Sequence, residues 1–145
     1  MQAGNQLTIV AVSFSHLRGR KPDMQGKNTM EKMIDGVRYF WIRCPKYKGN
    51  GMGRILNMLS FLKGLYQYES KITAQGKPDA VIASSTYPLD IYPARHLAKK
   101  YGARLIYEVH DLGPLSPMEC GGISKPHPYI SPLQAAGNSS CRHTD

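Results

Sequence analysis

The sequence predicts an α/β fold built on a mostly parallel sheet flanked by helices. Three observations carry this. Short apolar runs rich in β-branched residues recur at Leu7–Phe14, Val37–Arg43, Ala80–Ala83 and Leu105–Val109. Segments with helical spacing alternate with the later runs, and such alternation means βαβ units with parallel pairing. The last run stops at His110-Asp111, with Gly113 and Pro114 just beyond. Gly and Pro end a strand because one frees φ and the other removes a backbone donor.

Taken in order, Leu7–Phe14 is a continuous apolar run and reads as a core-type strand. The polar stretch Arg18–Asn28, with Gly19, Pro22 and Gly26, reads as a loop. Asp35-Gly36 marks a turn, and the aromatic-rich Val37–Arg43 is strand material closed by Cys44-Pro45. Lys46–Arg54 is a basic, glycine-rich loop. Ile55, Leu59, Leu62 and Tyr66 then fall at helical spacing, and Leu56, Met58, Phe61 and Leu65 widen the apolar face.

Gly76 and Pro78 end that helix. Ala80–Ala83 is a short buried strand, and Ser84–Pro88 is the loop at its carboxyl end. Asp90 is the expected N-cap of the next helix, with Pro93 in the first turn, where its missing N–H costs nothing. Leu97, Ala98 and Tyr101 then face inward, and Gly102 suits the C-terminal cap. After the strand ending at Val109 comes a Gly- and Pro-rich loop to Pro128, then a helix expected over Pro132–Asp145.

Length and charge narrow the function. A chain of 145 residues can bury a real core and is one domain at most. Nineteen Lys and Arg against ten Asp and Glu give +9, which favours an anionic partner. The basic residues fall in small groups rather than one long tail, and no nucleic-acid recognition motif is present, so no nucleic-acid partner is expected. Cys44, Cys120 and Cys141 are odd in number and widely spaced. This argues against a disulfide framework and fits a reducing cytoplasm. The polar Met1–Gln6 does not read as a signal peptide, and no stretch approaches the roughly 20 apolar residues of a membrane span.

In open α/β sheets ligands gather outside the carboxyl ends of the strands, which directs attention to two segments. His110 can donate and accept hydrogen bonds near neutral pH and suits proton transfer or the positioning of a hydroxyl. The plainer reading is a capping histidine. Asp111 would orient His110 or cap the turn. Ser84, Ser85, Thr86 and Tyr87 offer hydroxyls at a strand end near a helix start that favours anions, or form an ordinary connecting loop. Gly49–Gly53 could cradle a phosphate, but matches neither of the Gly-rich nucleotide motifs. No set of His and Cys has metal-ligand spacing.

Several segments carry a family resemblance. Thr8–Arg18, Asp35–Ile42, Pro45–Gly51, Ala83–Pro88 and Glu108–Leu112 closely resemble, in order and spacing, the N-terminal half of glycosyltransferase family 4 enzymes, as does the tail from Leu133 to Asp145. The nearest subgroup is the N-acetylfucosamine-type transferases of bacterial O-antigen and capsule assembly. The resemblance implies an incomplete N-terminal, acceptor-side, Rossmann-like domain of a GT-B enzyme over residues 1–145. The first strand–helix unit, of roughly 30 residues, and the C-terminal nucleotide-sugar domain would be absent. It implies retaining, metal-independent sugar transfer without a cofactor, from a UDP-linked donor held mainly by the missing domain to a lipid-linked glycan. Such a chain alone would be inactive.

The resemblance also sets His110 near the donor sugar as the catalytic candidate, and Ser84–Tyr87 with Asp111 at the substrate cleft. It departs from the family at Gly113, where a Trp is usual, and at Gly137, where a Glu is usual. A cytoplasmic protein, peripheral at the inner face of the plasma membrane, is expected. Lys46, Lys48 and Arg54 would meet acceptor phosphate or the anionic surface, with Leu59 and Phe61 on the adjoining helix. The competing reading is a non-catalytic α/β binding module for an anionic ligand, since fold does not fix function.

Overall fold

A computed structural model describes residues 4–15, 19, 21–48, 52–85, 88–109 and 135–136 of the chain. The chain divides into two compact units, Met1–Gln75 and Gly76–Asp145. The α/β class is as the sequence predicts. Among the described residues, however, the strands form two hydrogen-bonded sheets rather than the single one expected, and one of the strand pairs is antiparallel.

The first unit contains β1 (Thr8–Val12), β2 (Thr29–Ile34), β3 (Val37–Ile42), α1 (Met52–Gln67) and α2 (Glu69–Ile72). The sheet order is β1-β3-β2, with β1 parallel and β2 antiparallel to β3. Asp35 (φ 49°) and Gly36 (φ 77°) form the two-residue β2–β3 turn. Both are left-handed, as a turn matching the twist of the flanking strands requires. The sequence reading places that turn but not β2. The segment Thr-Met-Glu-Lys-Met-Ile has little β-branched or aromatic content, and its exposed charges suit an edge strand.

The core of this unit is Phe40, Ile42, Cys44 and Ile72, with Val10, Val12, Phe61, Leu65 and Tyr68 packed against it. β1 is half-buried along its whole length rather than fully enclosed. α1 begins at Met52, so Arg54 lies in its first turn and not in the preceding loop. Its inward face is also rotated from the one expected. Asn57, Met58 and Gly64 are buried, whereas Leu56, Leu59 and Tyr66 are exposed. The decisive residue is Gly64. A Cβ there would lie 2.6 Å from Ile42 Cγ2, so its absence lets α1 sit close on β3.

The second unit contains β4 (Ala80–Ser85), a 3-10 turn (Pro88–Asp90), α3 (Ile91–Tyr101) and β5 (Arg104–Val109). β4 and β5 pair in parallel from Ala80↔Arg104 to Ser85↔Val109. Ala83, Leu105, Ile91, Ala94 and Ala98 form its core, joined by Ala136. The opposite face carries the exposed Ile82 and Ile106, so β4 is not the fully buried strand expected. It is also two residues longer than expected and includes Ser84 and Ser85. Asp90 occupies the N-cap position, but its side chain makes no capping hydrogen bond because the 3-10 turn leads directly into the helix. Gly102, at φ 68°, closes α3 as expected, and the Ala103 N–H reaches back to the Ala98 carbonyl at 2.9 Å. Of the helix expected over Pro132–Asp145, residues 135–136 are helical and the rest lies outside the described residues.

Candidate functional site

Ser84 is the first of the expected site residues to be placed. It stands opposite Glu108 in the β4–β5 register, and its hydroxyl donates to Glu108 Oε2 at 2.5 Å. Both residues are exposed on the face of the sheet away from α3. Glu108 was not anticipated as a site residue. Period-two alternation puts Arg104, Ile106 and Glu108 on one face of the strand. Ser85 and Val109 are the paired last residues of the two parallel strands, so the chain leaves both at the same sheet edge. Thr86, Tyr87, His110 and Asp111 lie outside the described residues.

A second polar site sits at the carboxyl ends of β1 and β3. Parallel pairing to Val12↔Ile42 brings the two following segments side by side. The Ser13 N–H donates to the Ile42 carbonyl at 2.9 Å, and the Cys44 N–H to Ser13 Oγ at 3.1 Å. From α1, the buried Asn57 donates to the carbonyl of Pro45 at 2.8 Å and of Phe14 at 3.4 Å. An asparagine inside a helix thus ties both strand-end segments together. Burial pushes the Cys44 thiol up to about 11, partly opposed by a hydrogen bond with Ser60.

The loop 21–26 closes this end as one wall of a cleft of about 260 Å³, lined among others by Ser13, Lys21, Asp23, Arg43 and Lys46. The Lys21 ammonium lies 4.3 Å from the centre of the Phe14 ring, and Phe14 meets Tyr47 edge-on at 5.3 Å. A neighbouring cleft of about 270 Å³ between α1 and the end of β3 is lined by Arg43, Ser60, Lys63 and Tyr68 among others. Of the three cations expected to meet an anion, Lys46 lines the first cleft, Lys48 is exposed beside it in sequence, and Arg54 is on α1. Lys21 and Arg43 were not anticipated. Nothing in a loop lysine and a strand-end arginine 22 positions apart announces that they converge.

The exposed side chains of α1 include Met52, Leu56, Leu59 and Tyr66, at helical spacing on one face. Leu59 is thus on the surface, while Phe61, expected beside it, packs against the core. Among the described residues no helix is long and apolar enough to cross a membrane, and no three or more His, Cys, Asp and Glu gather to hold a metal ion. No family model matches the chain, and neither a curated protein nor a solved structure matches it.

Proposed function

We propose that the chain is the acceptor-side, Rossmann-like part of a retaining GT-B glycosyltransferase that moves a sugar from a nucleotide-sugar to a lipid-linked glycan. The observation that carries the proposal is the parallel β4–β5 pair ending in step at Ser85 and Val109. In sequence, Thr86-Tyr87 and the His110-Asp111 pair come directly after these strand ends, the usual location of ligands in α/β sheets. Ser84 and Glu108 supply hydrogen-bonding groups beside it, suited to sugar hydroxyls. In this reading His110 contacts the donor sugar, and the donor is bound by a further domain outside this sequence.

The membrane setting rests on charge and shape. An exposed apolar stripe on α1, with Lys46, Lys48 and Arg54 near its start, matches an anionic surface. Each such cation contributes about 1 kcal/mol near the surface.

The test begins with the adjacent coding sequence, which should supply a leading strand–helix unit and a nucleotide-sugar domain in frame. The extended protein should transfer sugar from a UDP-linked donor to a lipid-linked acceptor, and His110→Ala should lower turnover far more than melting temperature. Flanking sequence with no second domain, or an extended protein that transfers nothing, would overturn the proposal. Binding of an anionic ligand without transfer would instead favour the non-catalytic module.

A further inference from the structure

We infer that the cleft at the carboxyl ends of β1 and β3 binds a phosphoryl group, with Lys21, Arg43 and Lys46 as its cationic ligands. The inference rests on the acceptor-side reading for the source of the phosphate, and on the cleft alone for its chemistry.

The walls are held in place without a ligand. The Lys27 N–H donates to the Met24 carbonyl at 2.7 Å, and the Gln25 N–H to Asp23 Oδ1 at 3.0 Å. Arg43 Nη1 donates to the Gly26 carbonyl at 2.8 Å, pinning the loop to the end of β3. Met24 is buried beneath. Among the described residues, three cations and one carboxylate, Asp23, line the space, which leaves a surplus of positive charge. The Asp23 carboxylate already accepts a backbone N–H, and the Phe14 ring holds the Lys21 ammonium without neutralising it.

The donor set suits phosphate better than a single carboxylate. A guanidinium offers five N–H donors in a planar fork, and only one nitrogen of Arg43 is used on Gly26. Two ammonium groups add point charges from other directions, and the Ser13 hydroxyl, which accepts from Cys44, retains its own hydrogen to donate. Size narrows the ligand further. About 260 Å³ falls below the roughly 300–1,000 Å³ that encloses a drug-sized molecule. The cleft therefore takes a head group such as phosphate or pyrophosphate, with the remainder of the ligand outside.

The experiment is calorimetric titration of the full chain with inorganic pyrophosphate at low salt. Saturable binding at one site is expected, weakened at least tenfold by Lys46→Ala and by Lys21→Ala and unchanged by Lys77→Ala, an exposed lysine of the second unit. Arg43→Lys, which keeps the charge and loses the fork, should weaken it less than Lys46→Ala. Melting curves identify any variant that has lost its fold, and Lys46, which has no packing role in the core, keeps the test decisive. Absence of saturable binding, or equal weakening by Lys77→Ala, would overturn the site in favour of general charge attraction.

A second arm separates the sources. If pyrophosphate displaces the chain from vesicles containing phosphatidic acid, the cleft takes a lipid phosphate; if it binds without displacing them, the cleft takes a soluble one. Lys46-dependent binding in a protein whose extended form transfers no sugar would keep this site and remove the transferase reading.

Discussion

Arg38 donates from Nη1 to the backbone carbonyl of Ile72 at 2.6 Å, 34 residues away in the chain and at the end of α2. Its Nη2 also donates to the Lys71 carbonyl at 2.7 Å. The last carbonyls of a helix lack intrahelical partners and carry the negative end of its dipole. A side chain on the central strand thus anchors α2 to the sheet. The guanidinium is 3% exposed and also meets Glu31 Oε2 at 2.8 Å, diagonally across the β2–β3 pair.

This arrangement ranks two substitutions. Arg38→Met leaves the buried Ile72 carbonyl without its donor, at about 1–3 kcal/mol, while the Lys71 carbonyl keeps the Ala74 N–H at 3.4 Å. Glu31→Gln removes only the charge of the half-exposed partner and leaves both carbonyl bonds intact. Chemical denaturation should therefore find Arg38→Met more damaging. The opposite order would identify the ion pair as the main hold on Arg38.

Gly64→Ala is expected to destabilise despite improving helix propensity. Alanine gains about 1 kcal/mol over glycine in a helix. Here its Cβ would meet Ile42 Cγ2 at 2.6 Å, and Ile42 is itself fully buried in the sheet. Overpacking of that kind costs about 1–3 kcal/mol, so the net effect should be a lower melting temperature. In an Ile42→Ala background the penalty should shrink, and a double-mutant cycle with no coupling would show that helix and strand can separate freely.

The Cys44 thiol gives a pH dependence with a definite sign. Burial raises it from the ordinary thiol value of 9.0, taken for the unfolded chain, to about 11. Between these values the unfolded chain has lost the proton that the folded chain retains, so stability falls as pH rises from about 9 to about 11. Cys44→Ala should flatten that dependence in melting curves taken across the window. With Cys120 and Cys141 both changed to Ser, alkylation of native Cys44 at pH 8 should be far slower than in urea, because the thiolate is the nucleophile. Equal rates would contradict a shielded, protonated thiol.

The α1 stripe makes the membrane proposal directly testable. Leu56 and Leu59 are exposed, so Leu56→Glu with Leu59→Glu should leave the melt unchanged while lowering sedimentation with anionic vesicles. Lys46→Glu, Lys48→Glu and Arg54→Glu together should lower it further, and added salt should weaken parental binding. A parental chain that ignores anionic vesicles would remove the membrane from the proposal.

The sequence by itself determined the features that depend on neighbours along the chain. The apolar runs of β1, β3, β4 and β5, the Asp35-Gly36 turn and the Gly102 cap are such features, because backbone sterics and periodicity act within a few residues. Ser84 was expected in the loop after the β4 run, and the parallel pairing with β5 extends the strand through it instead. Only the tertiary structure decided the rest. β2 is a strand because β3 offers it an edge, not because Thr-Met-Glu-Lys-Met-Ile demands one. The inward face of α1 follows from a glycine that admits Ile42, and Met52, Leu56, Leu59 and Tyr66 are left outside. Lys21, Arg43 and Lys46 line one cleft because parallel pairing aligns the ends of β1 and β3 and the loop 21–26 forms its wall. Hydrogen-bonded ladders and close packing fix such meetings between distant residues, and neither leaves a periodic trace in the chain.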